Sequence, residues 1–231
     1  MPVKLWRPCG ILRQFRETCL VVPDTMKTTP LQQRSKDRVS EILRAAEELI
    51  QELPIDDITS TMIAKRASVT RTSLYHFFPS KFDIYDALSE QYRSELKEEV
   101  IRFFDPDQRS DYRVAWDGIS GVFSRFFNKN PTAAILLLGR KASRQIRYTD
   151  EASSKGFAKE LSKLMREHTD LQTYAADLDA SGDLFQIVLE LLTATFALGM
   201  RKEGRISKKT RQEAKAATLA YITTCLEAES T

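Results

Sequence analysis

Residues 59–81 read TSTMIAKRASVTRTSLYHFFPSK, and this stretch decides the fold. Two short helices joined by a tight turn account for it. The first is expected over Thr61–Arg66, with the hydroxyl of Thr59 or Ser60 capping its exposed N–H groups. Ala67-Ser68-Val69 forms the turn. The second is expected from Thr70 to Phe77, stopped by Pro79 because the residue before a proline avoids the helical region. Met62, Ile63, Ala67, Val69, Leu74 and Phe77 then face inward together. Thr70, Arg71, Thr72, Ser73, Tyr75 and His76 are left outside. Small hydroxyls and one arginine at the start of a helix suit a DNA groove, where the first turn reaches base edges and phosphates. The stretch carries Lys65, Arg66, Arg71 and Lys81 and no acid, the sign a phosphate surface demands.

The Ile63-Ala64 pair, the Ala67-Ser68-Val69 turn and above all LYHFFPSK (Leu74 to Lys81) make the chain resemble the TetR family of bacterial transcriptional regulators. The resemblance covers about Val39 to Leu88. It implies an N-terminal three-helix DNA-binding head and phosphate contacts from Tyr75, His76 and Lys81. One residue departs from the pattern. The family usually has glycine in the turn, where this chain has Ser68. Glycine reaches positive φ freely and serine does so at a cost, so a strained or shifted turn is expected.

Outward from this stretch the chain reads as almost entirely helical. It has 231 residues, only eight glycines and eight prolines, and apolar residues recurring at three and four. With 42% hydrophobic and 29% charged residues it can bury a substantial core; a net charge of +3 makes any nucleic-acid argument a local one. Uncharged runs reach about ten residues against the roughly 18 a membrane span needs, so no span is expected; the sparse cysteines lead to the expectation of reduced thiols and a cytoplasmic protein. Cys9, Cys19 and Cys225 are too few and scattered for a disulfide framework or a zinc site.

Residues 1–30, punctuated by Pro2, Pro8, Pro23 and Pro30, read as a disordered N-terminal arm. Met26 opens a sequence resembling a usual N-terminus of the family. The head is expected over 31–80. Its first helix runs from about Gln32 or Ser35 to Leu53, with Val39, Ile42, Leu43, Ala46, Leu49, Ile50 and Leu53 on one apolar face. Residues 81–231 form the second domain, for ligand sensing and dimerisation, giving about nine helices in all. Its helices are expected from Pro79 or Ser80 to Phe104, Arg109 to Asn128, from Asn130-Pro131, Thr149 to Thr169, Asp183 to Arg201 and Lys208 to Glu227. The last two carry an apolar surplus. The resemblance implies that they pair with those of a second chain in a four-helix homodimer interface.

Arg71, Thr72 and Ser73 are candidates for base edges, with Thr70 opening their helix. Thr59, Tyr75, His76 and Lys81 are candidates for the DNA backbone. Trp116, Phe123, Phe127, Phe157 and Phe185 are candidates to line an effector cavity, together with Ile119, Leu137 and Leu161. Arg140 and Arg144 would meet an acidic group on the effector. The interval from Gly118 to Thr149 holds six cations and no acid, a longer acid-free run than that of the helix-turn-helix, so such a run alone does not identify a DNA site. The competing readings are plain core for the aromatic residues and a solvated face for the arginines. No phosphate-binding glycine loop, metal-ligand spacing or nucleophile–histidine motif is present. The expected function is therefore a non-enzymatic regulator without cofactor or metal. It is a repressor that binds a palindromic operator as a dimer and is released by a small-molecule effector. A ligand-dependent activator of the same fold, and a helical interaction module or enzyme that leaves its helix-turn-helix unused, stay open.

Overall fold

The computed structural model describes the backbone of residues 30–104, 109–139, 144–174 and 183–229. The expected arm therefore lies outside the described residues, as do Cys9 and Cys19. The chain divides into two compact units, one ending at Lys81 and the other beginning at Phe82.

The first unit contains α1 (Pro30–Glu52), α2 (Ser60–Arg66) and α3 (Arg71–Phe77). Helix α1 buries Ile42, Ala45, Ala46, Leu49 and Ile50 at three- and four-residue steps, one stripe of a regular helix. Ala45 belongs to this stripe, while Leu53, expected in it, is exposed. Helices α2 and α3 have seven residues each, too short to persist alone in water. Capping and burial hold them. The Met62 N–H donates to Thr59 Oγ1 at 3.2 Å and the Ser73 N–H to Thr70 Oγ1 at 3.1 Å, satisfying one orphan donor at each N-terminus. Ile63, Ala64, Ala67, Leu74 and Phe78 are buried. Met62, Val69 and Phe77 are only half-buried; of the two adjacent phenylalanines it is Phe78, the residue capping α3, that goes inside.

The turn between them is strained as expected. Ser68 has φ of 54°, the only non-glycine residue with positive φ among those described. The Ser68 N–H donates to Lys65 O at 3.2 Å and the Val69 N–H to Ala64 O at 3.0 Å. This double bond pattern, with a left-handed residue just past the helix end, is the Schellman motif.

The second unit contains α4 (Lys81–Phe103, its first residue in the head), α5 (Tyr112–Lys129), α6 (Pro131–Leu138), α7 (Arg144–His168), α8 (Leu171–Tyr174), α9 (Asp183–Glu203) and α10 (Lys208–Glu229). Among the described residues no strand forms, and Ser110 and Thr169 make one isolated parallel bridge. There the Ser110 N–H donates to His168 O at 3.1 Å, the Asp170 N–H to Ser110 O at 3.1 Å, and the Tyr112 N–H to Asp170 Oδ1 at 2.8 Å. The start of α5 is thereby tied to the end of α7. The other end of α5 is tied too: the Asn128 amide donates to Ile206 O at 3.0 Å and accepts from Ile206 N at 2.8 Å. Between these ties α5 is the central helix, with Trp116, Ile119, Phe123, Phe126 and Phe127 at most 2% exposed. Trp116 Nε1 donates to Thr218 Oγ1 of α10 at 2.7 Å inside this core, so the indole's one donor is not stranded.

Helix α9 is long and apolar enough, by length and composition, to cross a membrane. Glu190 inside it and Arg201 near its end interrupt the uncharged run that the sequence criterion required. Leu184, Phe185, Val188, Leu192 and Phe196 are buried in this unit, and a core helix meets the same compositional test.

The left-handed serine yields a prediction. Ser68→Gly removes a steric cost of about 1 kcal/mol, partly offset by glycine's greater chain entropy when unfolded. The variant should melt at a temperature equal to or a few degrees above wild type, whereas Ser68→Val should melt well below it. Thermal unfolding by circular dichroism measures both.

Candidate nucleic-acid interface

Helix α3 presents Arg71, Thr72, Tyr75 and His76 to solvent, with Ser73 half-buried. These side chains form a connected surface. The Arg71 guanidinium stands 5.9 Å from the centre of the Tyr75 ring, within reach of a cation–π attraction. Arg71 and Ser60 also hydrogen-bond the Tyr75 phenol, and these bonds hold its pKa below the ordinary tyrosine value, with the Arg71 charge acting in the same direction. Ser60 is the first residue of α2, so the tyrosine joins the two helices. His76 meets Phe77 edge to face at 5.2 Å.

Thr59 and Thr70 are the N-caps of α2 and α3. Their oxygens accept from backbone N–H groups, which leaves the hydroxyl hydrogens to point outward. The sequence offered Thr59 or Ser60 as the cap of α2, of which Thr59 serves, and placed Thr70 inside α3 rather than in front of it.

The cation count changes when the fold is seen. Arg66 Nη1 and Nη2 donate to Glu52 Oε1 and Oε2 at 2.9 and 2.7 Å, and Nη1 also to Glu48 Oε2 at 3.3 Å. Both acids lie on α1, outside the acid-free stretch. The Glu52 and Glu48 carboxylates raise the Arg66 pKa, and Arg66 lowers that of Glu52. The charge of Arg66 is thus directed to fastening α2 to α1 and is not available to a phosphate surface in the way the linear sequence suggested. Lys81 Nζ donates to the carbonyls of Ile58 at 2.6 Å and Asp56 at 3.2 Å. It ties down the loop leading into α2. Lys65 and Arg71 remain as exposed cations of the stretch.

Most of the aromatic residues expected to line an effector cavity are buried. Trp116, Phe123, Phe127 and Phe185 are 0–2% exposed, with Ile119 and Leu161 also buried. Trp116 packs on Phe185 at 6.1 Å, and Phe123 stacks on Phe157 at 6.0 Å and meets Phe127 at 6.4 Å. Phe157 and Leu137 are half-buried. Arg140 and the side chain of Arg144 lie outside the described residues. The sequence missed Ser89 on α4, which is fully buried and whose hydroxyl has no hydrogen-bond partner among the described residues. A serine within an apolar helical stripe gives no sequence signal of that kind.

A short capped helix behind a strained turn, presenting an arginine–tyrosine pair above a three-helix core, is a helix-turn-helix arrangement. Residues 42–88 match the family model described as bacterial regulatory proteins, tetR family. Over these residues the head is similar to that family. The nucleoid occlusion factor SlmA of Marinobacter nauticus is 33% identical over 104 residues, 44% of this chain and 51% of that protein. The chain thus spans about half the length of the curated relatives it matches. Among solved structures, the fatty acid degradation regulator FadR from Bacillus halodurans superimposes with a TM-score of 0.63 at 16% identity, covering 85% of this chain and 97% of that one. FadR from Thermus thermophilus, solved in complex with lauroyl-CoA, gives 0.60 at 20% identity over 80% and 93%. At these identities the likeness is one of fold.

The phenol of Tyr75 supplies a prediction for titration. Because its pKa is depressed by donated hydrogen bonds and the Arg71 charge, it should ionise at lower pH than the other observable tyrosines. Arg71→Ala should move it back up. Selective ¹³C labelling of tyrosine and an NMR titration would read both; a Tyr75 resonance unmoved by the substitution would contradict the assignment.

Proposed function

We propose that the chain is a repressor that binds a palindromic operator as a homodimer and releases it when a small molecule binds. The observation that carries this reading is the exposed face of α3, where Arg71 is held beside Tyr75 with Thr72, Ser73 and His76 adjoining. In this reading the unit ending at Lys81 reads DNA. Arg71, Thr72 and Ser73 face base edges. Thr59, Thr70, Lys65, Tyr75 and His76 meet the backbone, and Lys81 chiefly positions the loop that carries Thr59. The unit from Phe82 onward dimerises and senses the effector.

The last two long helices support a dimer. Ile187, Leu191 and Leu198 of α9 are 45%, 36% and 43% exposed. Asp183, Gln186, Ile187, Glu190, Leu191 and Ala194 line a depression of about 530 Å³ along that helix. On α10, Ala216, Ala217 and Ala220 are exposed. Large apolar side chains on one helix and small ones on its neighbour suit a second copy of the same pair. The dimer would set two copies of α3 about one helical turn of DNA apart.

An effector acts here only by binding the released state better than the bound one. The buried, unpartnered Ser89 hydroxyl supports a polar handle on α4. The lauroyl-CoA held by the Thermus thermophilus neighbour favours a compound with an apolar portion.

A mobility shift with DNA from upstream of its own gene, at fixed salt and with excess competitor, tests the reading. Wild type should bind saturably to a short palindrome. Arg71→Ala with Tyr75→Ala should abolish that binding while leaving the helical content intact. Arg66→Gln should instead lower the melting temperature of the head, with little change in the salt dependence of DNA binding. Each phosphate contact removed changes the log–log salt slope by about 0.9, so Lys65→Ala should show that change if Lys65 meets the backbone. Specific binding that survives the double substitution would refute the interface.

For the dimer, Ala220→Arg places a charge on the small-residue face. Sedimentation should show wild type at twice the chain mass and the variant at one; a monomeric wild type would remove the dimer from the proposal.

A further inference from the structure

A second charged site lies away from the recognition helix, where α5 meets α10. Asp117, Gly121 and Arg125 follow at four-residue steps on one face of α5, and Arg211 and Lys215 stand at the same step on α10. Asp117 Oδ1 lies 3.5 Å from Arg211 Nη2 and 3.1 Å from Lys215 Nζ. Arg211 Nη1 also donates to the Asp117 carbonyl at 3.4 Å. Arg211 Nη1 and Arg125 Nη1 lie 2.8 and 3.1 Å from the point where a Cβ on Gly121 would stand. Two guanidinium tips therefore share the space that the glycine leaves open.

The charges do not balance. Arg211 and Lys215 share one carboxylate, and Arg125, whose tip stands beside that of Arg211 over Gly121, makes no ion pair with any described residue. The side chains of Arg211, Lys215 and Asp117 are 30%, 35% and 38% exposed, so water screens the repulsion only in part. Arg125 is an exposed residue, so burial alone does not require its tip beside Arg211. An anion between the two is the arrangement that would turn their proximity into stabilisation.

The site is also held in place. The buried bond from Trp116 to Thr218 fixes the register of α5 against α10 beside Asp117. The Asn128 amide secures the chain before α10 one turn beyond Arg125. Asp117 acts as a positioning residue, holding the tips of Arg211 and Lys215. A preorganised set of donors loses little freedom when a ligand arrives.

We propose that Arg125, Arg211 and Lys215 form a binding site for the phosphate group of a small molecule over Gly121. The donors come from two helices and so approach from different sides. That suits a tetrahedral oxyanion with several outward oxygens better than a planar carboxylate, which one arginine fork can satisfy alone. Gly121 provides the floor, because any side chain there would enter the volume the two guanidiniums share.

Isothermal titration of the full chain with inorganic phosphate, and separately with glycerol 3-phosphate, tests this at constant ionic strength set with chloride. Wild type should bind at least one of them saturably, one equivalent per chain, with acetate binding far more weakly. Equal affinities identify free phosphate as sufficient, and tighter binding of the ester identifies a phosphomonoester. Arg125→Gln should melt like wild type without ligand and weaken binding about tenfold or more, the loss expected of one charge-assisted contact. Gly121→Ala should weaken it as well. No saturable binding of either compound to wild type, or equal binding by Arg125→Gln, would overturn the proposal.

Discussion

Two seven-residue helices cannot hold themselves, and the head is arranged around that constraint. Each lacks the length to recover its nucleation cost from its own hydrogen bonds. A threonine oxygen therefore closes each N-terminus, a Schellman turn closes the C-terminus of α2, and a bidentate bridge from Arg66 to Glu52 fastens α2 to α1. Ile63, Ala67 and Leu74 then go under. The strain at Ser68 persists because these contacts fix the residues on both sides of it.

The same accounting separates structural charge from surface charge. Four cations and no acid occur between residues 59 and 81, yet Arg66 meets two carboxylates and Lys81 two carbonyls. Charge in a linear window is a poor guide to field at a surface, since folding brings partners from outside the window. At α5 and α10 the reverse happens. Arg125, Arg211 and Lys215 look unremarkable in sequence, and only the helix pairing shows that Arg211 and Lys215 share a single acid with Arg125 close by over Gly121.

Much of the architecture was legible. The start of α2 and the end of α3 were set by a hydroxyl and by Pro79, whose effects are local, and the periodic stripe of α1 was visible because burial at three- and four-residue steps is a property of one helix. The left-handed Ser68 could be expected from a single residue standing in place of glycine. What stayed hidden depends on neighbours distant in sequence. Trp116, Phe123 and Phe185 have the composition of a ligand pocket and of a core alike, and which rings they pack on depends on helices distant in sequence. The choice between Phe77 and Phe78 turns on the backbone leaving the helix at its cap. Ser60 beneath Tyr75 needed the angle between two helices.

The Asn128 amide faces Ile206 as a second peptide would, giving one donor and accepting from one. Only a carboxamide has both functions in that geometry. Spontaneous hydrolysis of this side chain to aspartate would replace the donor by an oxygen aimed at the Ile206 carbonyl, setting acceptor against acceptor. The joint between α5 and the segment leading into α10 is thus subject to chemical ageing: a change of a single mass unit in one side chain would loosen a contact that joins positions 78 residues apart in the chain.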